Sequence, residues 1–201
     1  MNGQSDARGL AAEIARCKIC ATRFAATKTA HAPRPVVWYR PGVRILVAGQ
    51  APGLRVHESG RPFDDRSGDR LRDWLGMDKA EFYDRDRVGV LPTAFCFPGY
   101  NAAGSDLPPP PVCWKTWHAR VLEEIGPVPL RVIVGGYAIK KHLGDSRPVT
   151  EAVADWNARP NGTFVLPHPS WRNTGWLKRN PWFGDEILPA LREAVRQVLA
   201  D

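Results

Sequence analysis

Nowhere does this 201-residue chain hold an apolar run near the roughly 20 residues that a membrane helix needs. Its amino terminus, with Asp6 and Glu13 around a short Ala-rich stretch, lacks the pattern of a secretory signal. Together these absences predict a soluble protein of the cytoplasm. Cysteine is scarce, with 4 residues, Cys17, Cys20, Cys96 and Cys113. In a reducing compartment such thiols suit metal better than disulfides. Internal repeats are lacking, and the one biased stretch is the proline run from Pro108 to Pro111. Acidic residues fall short of basic ones, 21 against 28, leaving a net charge of +7 and a pI near 9.5. Such a surplus suits a polyanion, because cationic side chains gain affinity by displacing condensed counterions from nucleic acid. An arginine-rich composition produces the same surplus with no such partner.

Apolar residues, by contrast, make up 43% of the chain, enough for one core and hence a single domain over residues 1–201. Ser5 or Asp6 can cap a first helix carrying Leu10, Ile14 and Cys17, and an irregular basic segment follows. Four short apolar runs, at 44–48, 88–91, 131–134 and 163–166, read as buried strands. Between them, Ser67 is expected to cap a helix with Leu71, Trp74 and Leu75. Cys113 sits in the first turn of another through Val121, Leu122 and Ile125, a third covers 137–143, and Thr150 can cap a short fourth. The chain closes with a helix built on Ile187, Leu188, Leu191, Val195, Val198 and Leu199. This alternation predicts an α/β fold, a three-layer α/β/α sandwich with a central four-stranded parallel sheet. Function is then expected in the loops after the strands' carboxyl ends.

Two loops lie there. Gly49-Gln50-Ala51-Pro52-Gly53 follows the first strand and exposes backbone N–H groups that can hold a carbonyl oxygen as negative charge develops. An ordinary strand-to-helix turn needs only the same glycines and proline. His168-Pro169-Ser170-Trp171-Arg172-Asn173 follows the fourth strand; a lone histidine at a strand end is usually structural, but the Pro-Ser that follows is not ordinary filler.

From Gly49 the chain reads GQAPGLRVHESGRPFDDRSGDRL. With its GRPF and RSGD elements, this stretch resembles motif A and its continuation in the iron-sulfur glycosylases of the uracil-DNA glycosylase superfamily, families four and five, and it is closer to family five. The His-Pro-Ser segment resembles the superfamily's second signature. The resemblance covers most of the chain and is weakest around residues 24–42 and 144–161. It implies a uracil-DNA glycosylase-like fold and a DNA-repair enzyme that flips out uracil, and other deaminated bases, and hydrolyses the N-glycosidic bond.

By that resemblance Phe63 is the aromatic on which the extruded base stacks, worth roughly 1–3 kcal/mol per base. A plain core phenylalanine is the competing reading. Where family four has Glu the chain has Gln50, and where family one has Asp it has Ala51. Likeness to family five moves the catalytic carboxylate to Asp65, with Asp64 as the alternative, to stabilise the sugar cation and orient water. Acids here, Asp69 included, also complement a helix macrodipole. His168 would contact the uracil carbonyl and support charge on the leaving base. Asn101, five residues beyond Cys96, would serve the catalytic pocket or merely form a turn. Gly49, Gln50, Ala51, Ser170, Arg172 and Asn173 join Phe63 in binding substrate. Trp171, Arg172 and Asn173 would enter the duplex, with Lys178 and Arg179 near phosphates. The competing picture is a solvated basic loop with Trp171 and Trp176 packed inward. The family-four Asn that reads uracil falls near Pro92 or Thr93, so weak discrimination among bases is expected.

The resemblance assigns Cys17, Cys20, Cys96 and Cys113 to a structural 4Fe-4S cluster, although the spacing alone suits four-thiolate zinc as well. The expected partner is DNA containing uracil or other deaminated bases, met by a monomer without a membrane or a nucleotide cofactor. Neither motif holds a lysine placed as a Schiff-base nucleophile, so a monofunctional enzyme without a lyase step is expected. The alternative is a superfamily member of weak or no activity that binds uracil-containing or abasic DNA.

Overall fold

The four apolar runs become β1 (Ile45–Gly49), β2 (Val88–Pro92), β3 (Leu130–Val134) and β4 (Thr163–Leu166) in the computed structural model, which describes residues 9–160 and 162–200. All are paired in parallel, in the order β2-β1-β3-β4, with Ile45 opposite both Val88 and Leu130. Parallel strands lie covered on both faces, which is why each run is continuously apolar rather than alternating.

Ten α-helices are described: α1 (Leu10–Ala15), α2 (Ala21–Ala25), α3 (Leu54–Ser59), α4 (Arg66–Leu75), α5 (Lys79–Phe82), α6 (Pro111–Ile125), α7 (Gly135–Leu143), α8 (Val149–Ala154), α9 (Thr174–Arg179) and α10 (Leu188–Ala200). Successive strand residues face opposite sides of a sheet. Ile45 and Val47 accordingly pack with Leu71 and Leu75 of α4 and with Leu191 and Val195 of α10. Leu46 between them packs with Ile14 of α1 and with Trp117, Val121 and Ile125 of α6. Helices thus cover both faces, and the three-layer α/β/α arrangement stands. None of the described helices is long and apolar enough to cross a membrane.

Several local expectations change. The first helix ends at Ala15, short of Cys17, and its expected caps Ser5 and Asp6 lie outside the described residues. Asp65, not Ser67, caps α4: its Oδ1 accepts the Gly68 N–H at 2.9 Å, and Ser67 falls in the first turn. Pro148, not Thr150, precedes α8, and the Thr150 hydroxyl instead accepts from Trp176 Nε1 at 2.8 Å. The basic segment before β1 contains α2 and then extended chain, where Trp38 bridges antiparallel to Val90 and covers part of the β2 edge.

Candidate active site

Because the strands are parallel, their carboxyl ends share one edge of the sheet. A recess of about 630 Å³ opens there, bordered by Gly49 of β1, Pro92 of β2, Val134 of β3 and His168 just beyond β4. The chain leaves β1 for one neighbour and returns to β3 on its other side, so this is the switch point where α/β sheets open a crevice.

The loop after β1 forms one wall. Its carbonyls are already engaged: Gly49 O accepts the Thr93 N–H at 2.9 Å, and Gln50 O accepts the Ala94 N–H and the Thr93 hydroxyl. Gln50, Ala51 and Pro52 line the recess. The Phe63 ring lies against this loop, 3.5 Å from where a Cβ on Gly49 would stand, and meets Phe82 edge-on. Phe63 has φ +55°, a left-handed conformation that costs a non-glycine residue about 1–2 kcal/mol. Three contacts hold it. A Cβ on Gly68 would lie 1.7 Å from the Phe63 carbonyl oxygen, so only glycine allows that approach. Arg72, 4% exposed, donates to the same oxygen at 3.1 Å while pairing with Asp69 at 2.7 Å. Tyr83 Oη donates to Pro62 O at 3.1 Å.

Asp65 lines the recess as well as capping α4, so helix electrostatics and a role in the site do not compete. Asp64 is not among the lining residues. Opposite, His168 Nδ1 accepts the Ser170 N–H at 3.2 Å, which places the proton of the neutral ring on Nε2. Burial lowers the His168 pKa, opposed by Asp65 and Asp106. Since free imidazole titrates near about 6.5, the ring is neutral at pH 7. Asn173 Nδ2 donates to His168 O at 2.7 Å, and Ser170 Oγ accepts the Arg172 N–H at 3.2 Å, so both side chains brace the loop they belong to while lining the recess.

Helix α4 ties these parts together. Arg70 donates to Ser170 O at 3.0 Å and reaches Thr174 Oγ1, while Arg72 grips Phe63. Two residues apart on a helix, their side chains diverge by roughly 200° and so reach separate loops. Gly68, Arg70 and Arg72 were not singled out from the sequence. Their signal there is only the pattern RSGDRLR, which reads equally as a helix start.

Asn101 does not line the recess. It is exposed, and its Oδ1 and N–H bond Ser105 N and O, both at 2.9 Å, to close a tight turn. The same loop instead contributes Ser105 and Asp106 to the wall, residues the sequence reading missed. Asp106 is exposed too, but its partial burial against the wall raises its pKa, against the pull of Arg172 and His168. At the rim Trp171 is 71% exposed, with the Arg172 guanidinium 5.9 Å from its ring centre, whereas Trp176 packs against Trp182 and Phe183. The loop is therefore split between an outward and an inward tryptophan. Arg55, Arg66 and Arg172 line the recess, and Lys178 and Arg179 lie exposed at the end of α9.

All four cysteines are free thiols lining a second, small apolar recess of about 20 Å³ with Ile14, Phe24, Phe95 and Trp117. The Phe95 N–H donates to Cys113 Sγ at 3.4 Å, and the Arg34 backbone N–H points at Cys96. Burial, reinforced by the neighbouring thiols, pushes Cys96 up to about 12 and Cys113 up to about 11. A bound cation would relieve that cost. Among the described residues no three His, Cys, Asp or Glu side chains already stand in a metal-holding group. Four soft sulfur donors around one apolar recess, with backbone N–H groups aimed at sulfur, nevertheless suit a four-thiolate centre.

Residues 36–192 match the family model described as the Uracil DNA glycosylase superfamily. That span contains the whole sheet and the two loops of the large recess, while Cys17 and Cys20 precede it. With most of its length matched and its recess at the carboxyl edge of a four-stranded parallel sheet, the chain belongs to the uracil-DNA glycosylase superfamily.

Proposed function

We propose that the protein is a monofunctional DNA glycosylase that extrudes uracil, and other deaminated bases, and hydrolyses the bond between base and deoxyribose. The observation that carries this reading is that Asp65 and His168, far apart in sequence, face one recess that also holds the Phe63 ring. An extruded base would stack on Phe63, with its carbonyls toward His168 Nε2–H and the backbone N–H groups of Gln50 and Ala51. As the glycosidic bond breaks, its electron pair moves onto the base, where these donors stabilise the developing charge. A neutral donor suits a buried site, because no charged imidazole has to be desolvated. The Asp65 carboxylate, negative beside the sugar, stabilises the cation left at its anomeric carbon. Trp171 would fill the gap in the stack, and Arg172, Lys178 and Arg179 would hold phosphates.

The fit of the thiol recess supports a 4Fe-4S cluster held by Cys17, Cys20, Cys96 and Cys113. It would act there as a crosslink between the corner after α1, the loop after β2 and the first turn of α6.

An oligonucleotide with a single uracil, incubated with the protein and then treated with alkali, tests the reading. Strand breaks at the uracil are expected, and panels with hypoxanthine and xanthine define the range. DNA that is retarded on a gel yet stable to alkali would replace it with binding alone. His168→Ala should lower kcat by about 10²–10³, the usual loss for one donor to developing charge, with DNA affinity kept. An unchanged rate would remove His168 from the mechanism.

A further inference from the structure

We propose that Asp106 is the general base that takes a proton from the hydrolytic water, an inference that rests on the glycosylase reading above. The loop after β1, with Gln50 and Ala51, offers no carboxylate, and Asp65, whose Oδ1 accepts the Gly68 N–H, already serves the sugar cation in the reading above. The remaining aspartate in the wall of the recess is Asp106.

Its position is built rather than incidental. Tyr100 and Asp106 form an antiparallel bridge, Leu107 N–H bonds Gly99 O at 2.8 Å, and the Asn101–Ser105 turn closes the tip. This small hairpin delivers Asp106 to the recess across from His168 and Arg172 of the loop after β4. Among the described residues no group donates a hydrogen bond to its carboxylate, which leaves both oxygens for water. Around it stand His168 and Arg172, Tyr100 across the bridge, and Asp65, Arg66 and Arg55 elsewhere in the same wall. Asp106 is exposed to solvent, yet partial burial against the wall raises its pKa, opposed by Arg172 and His168, so the carboxylate is more basic than a free one.

In the step, the C1′–N bond breaks and its electron pair leaves with the base, whose charge His168 and the loop N–H groups bear. Water oxygen bonds C1′, and one water proton passes to the Asp106 carboxylate. That proton later returns to the departing base or to solvent. No oxidant, reductant or further reactant is needed.

Single-turnover kinetics on the uracil oligonucleotide decide it. Asp106→Asn should lower kcat by about 10²–10⁴, leave DNA affinity near that of the parent, and recover part of the rate as Asp106→Glu. The parent's kcat should fall as pH drops through the raised Asp106 pKa, because only the ionised carboxylate accepts a proton; this acid limb should vanish in Asp106→Asn. If that variant does not fold, Asp106→Ser takes its place. An active parent with wild-type turnover in Asp106→Asn, or with the acid limb unchanged in it, overturns the inference and leaves the glycosylase reading standing. A parent that cleaves no base in the panel overturns both.

Discussion

Gly68→Ala puts the architecture of the Phe63 platform to its most direct test. On helix propensity alone the change should stabilise α4 by about 1 kcal/mol. Against this, the new Cβ would lie 1.7 Å from the Phe63 carbonyl oxygen, where contacts under 3.0 Å essentially never occur, so a shift of roughly 1.3 Å is required. The obstructing atom is backbone and cannot swing aside. Moving it breaks the bond from Arg72, a hydrogen bond to a charged group worth about 1.5–3 kcal/mol, and adds overpacking of about 1–3 kcal/mol. The clash wins, and a net loss of about 2–4 kcal/mol should appear as a lower urea midpoint at unchanged m-value. Since misplacement by about an ångström can cost 10²-fold in rate, turnover on uracil-containing DNA should fall by about that factor. A Gly68→Ala protein as stable and as active as its parent would refute the idea that this glycine and Arg72 hold Phe63 in its left-handed conformation.

Trp171→Ala should weaken DNA binding by the roughly 1–3 kcal/mol of a lost stacking partner, while stability moves by less than about 0.5 kcal/mol because the residue is 71% exposed; titration of labelled duplex and a urea melt measure the two, and unchanged affinity counts against insertion. Metal analysis should find iron with visible charge-transfer absorption, and Cys113→Ser should lose both together with thermal stability; a colourless protein with stoichiometric zinc would overturn the iron assignment. Burial, aided by His118 and Arg131, pushes His142 down to about 3, so between that value and about 6.5 the unfolded chain binds a proton that the folded one does not. Stability is therefore lost as pH falls through this window, by about 1.4 kcal/mol at about pH 5.5 for this residue. His142→Leu should flatten the fall in urea midpoint between neutral and mildly acidic buffer, and an equally steep fall would point to other groups.

Continuous apolar runs suffice to announce buried parallel strands, and the run at 163–166 coincides with β4. Composition and pattern likewise determined the α/β class, and the motif loops carried the superfamily resemblance that the family match shows. Short helices escaped notice: α3, α5 and α9 span four to six residues, too few turns for a 3.6-residue period to register. The cap of α4 was misplaced by two residues because Asp65 and Ser67 are both good caps, and only the bond to Gly68 N–H decides between them. Tertiary structure also chose the loop residue that reaches the recess. Asn101 and Asp106 share one Pro/Gly-rich segment and are both exposed, but the hairpin closed by Tyr100 and Asp106 ties the first into its own turn and sets the second at the wall of the recess. The same holds for Gly68 and Arg72, whose importance lies in one carbonyl oxygen of Phe63. Sequence patterns report the local chain and which residues avoid water; which side chains converge on one cavity is settled only when strands distant in sequence pair and helices pack across them.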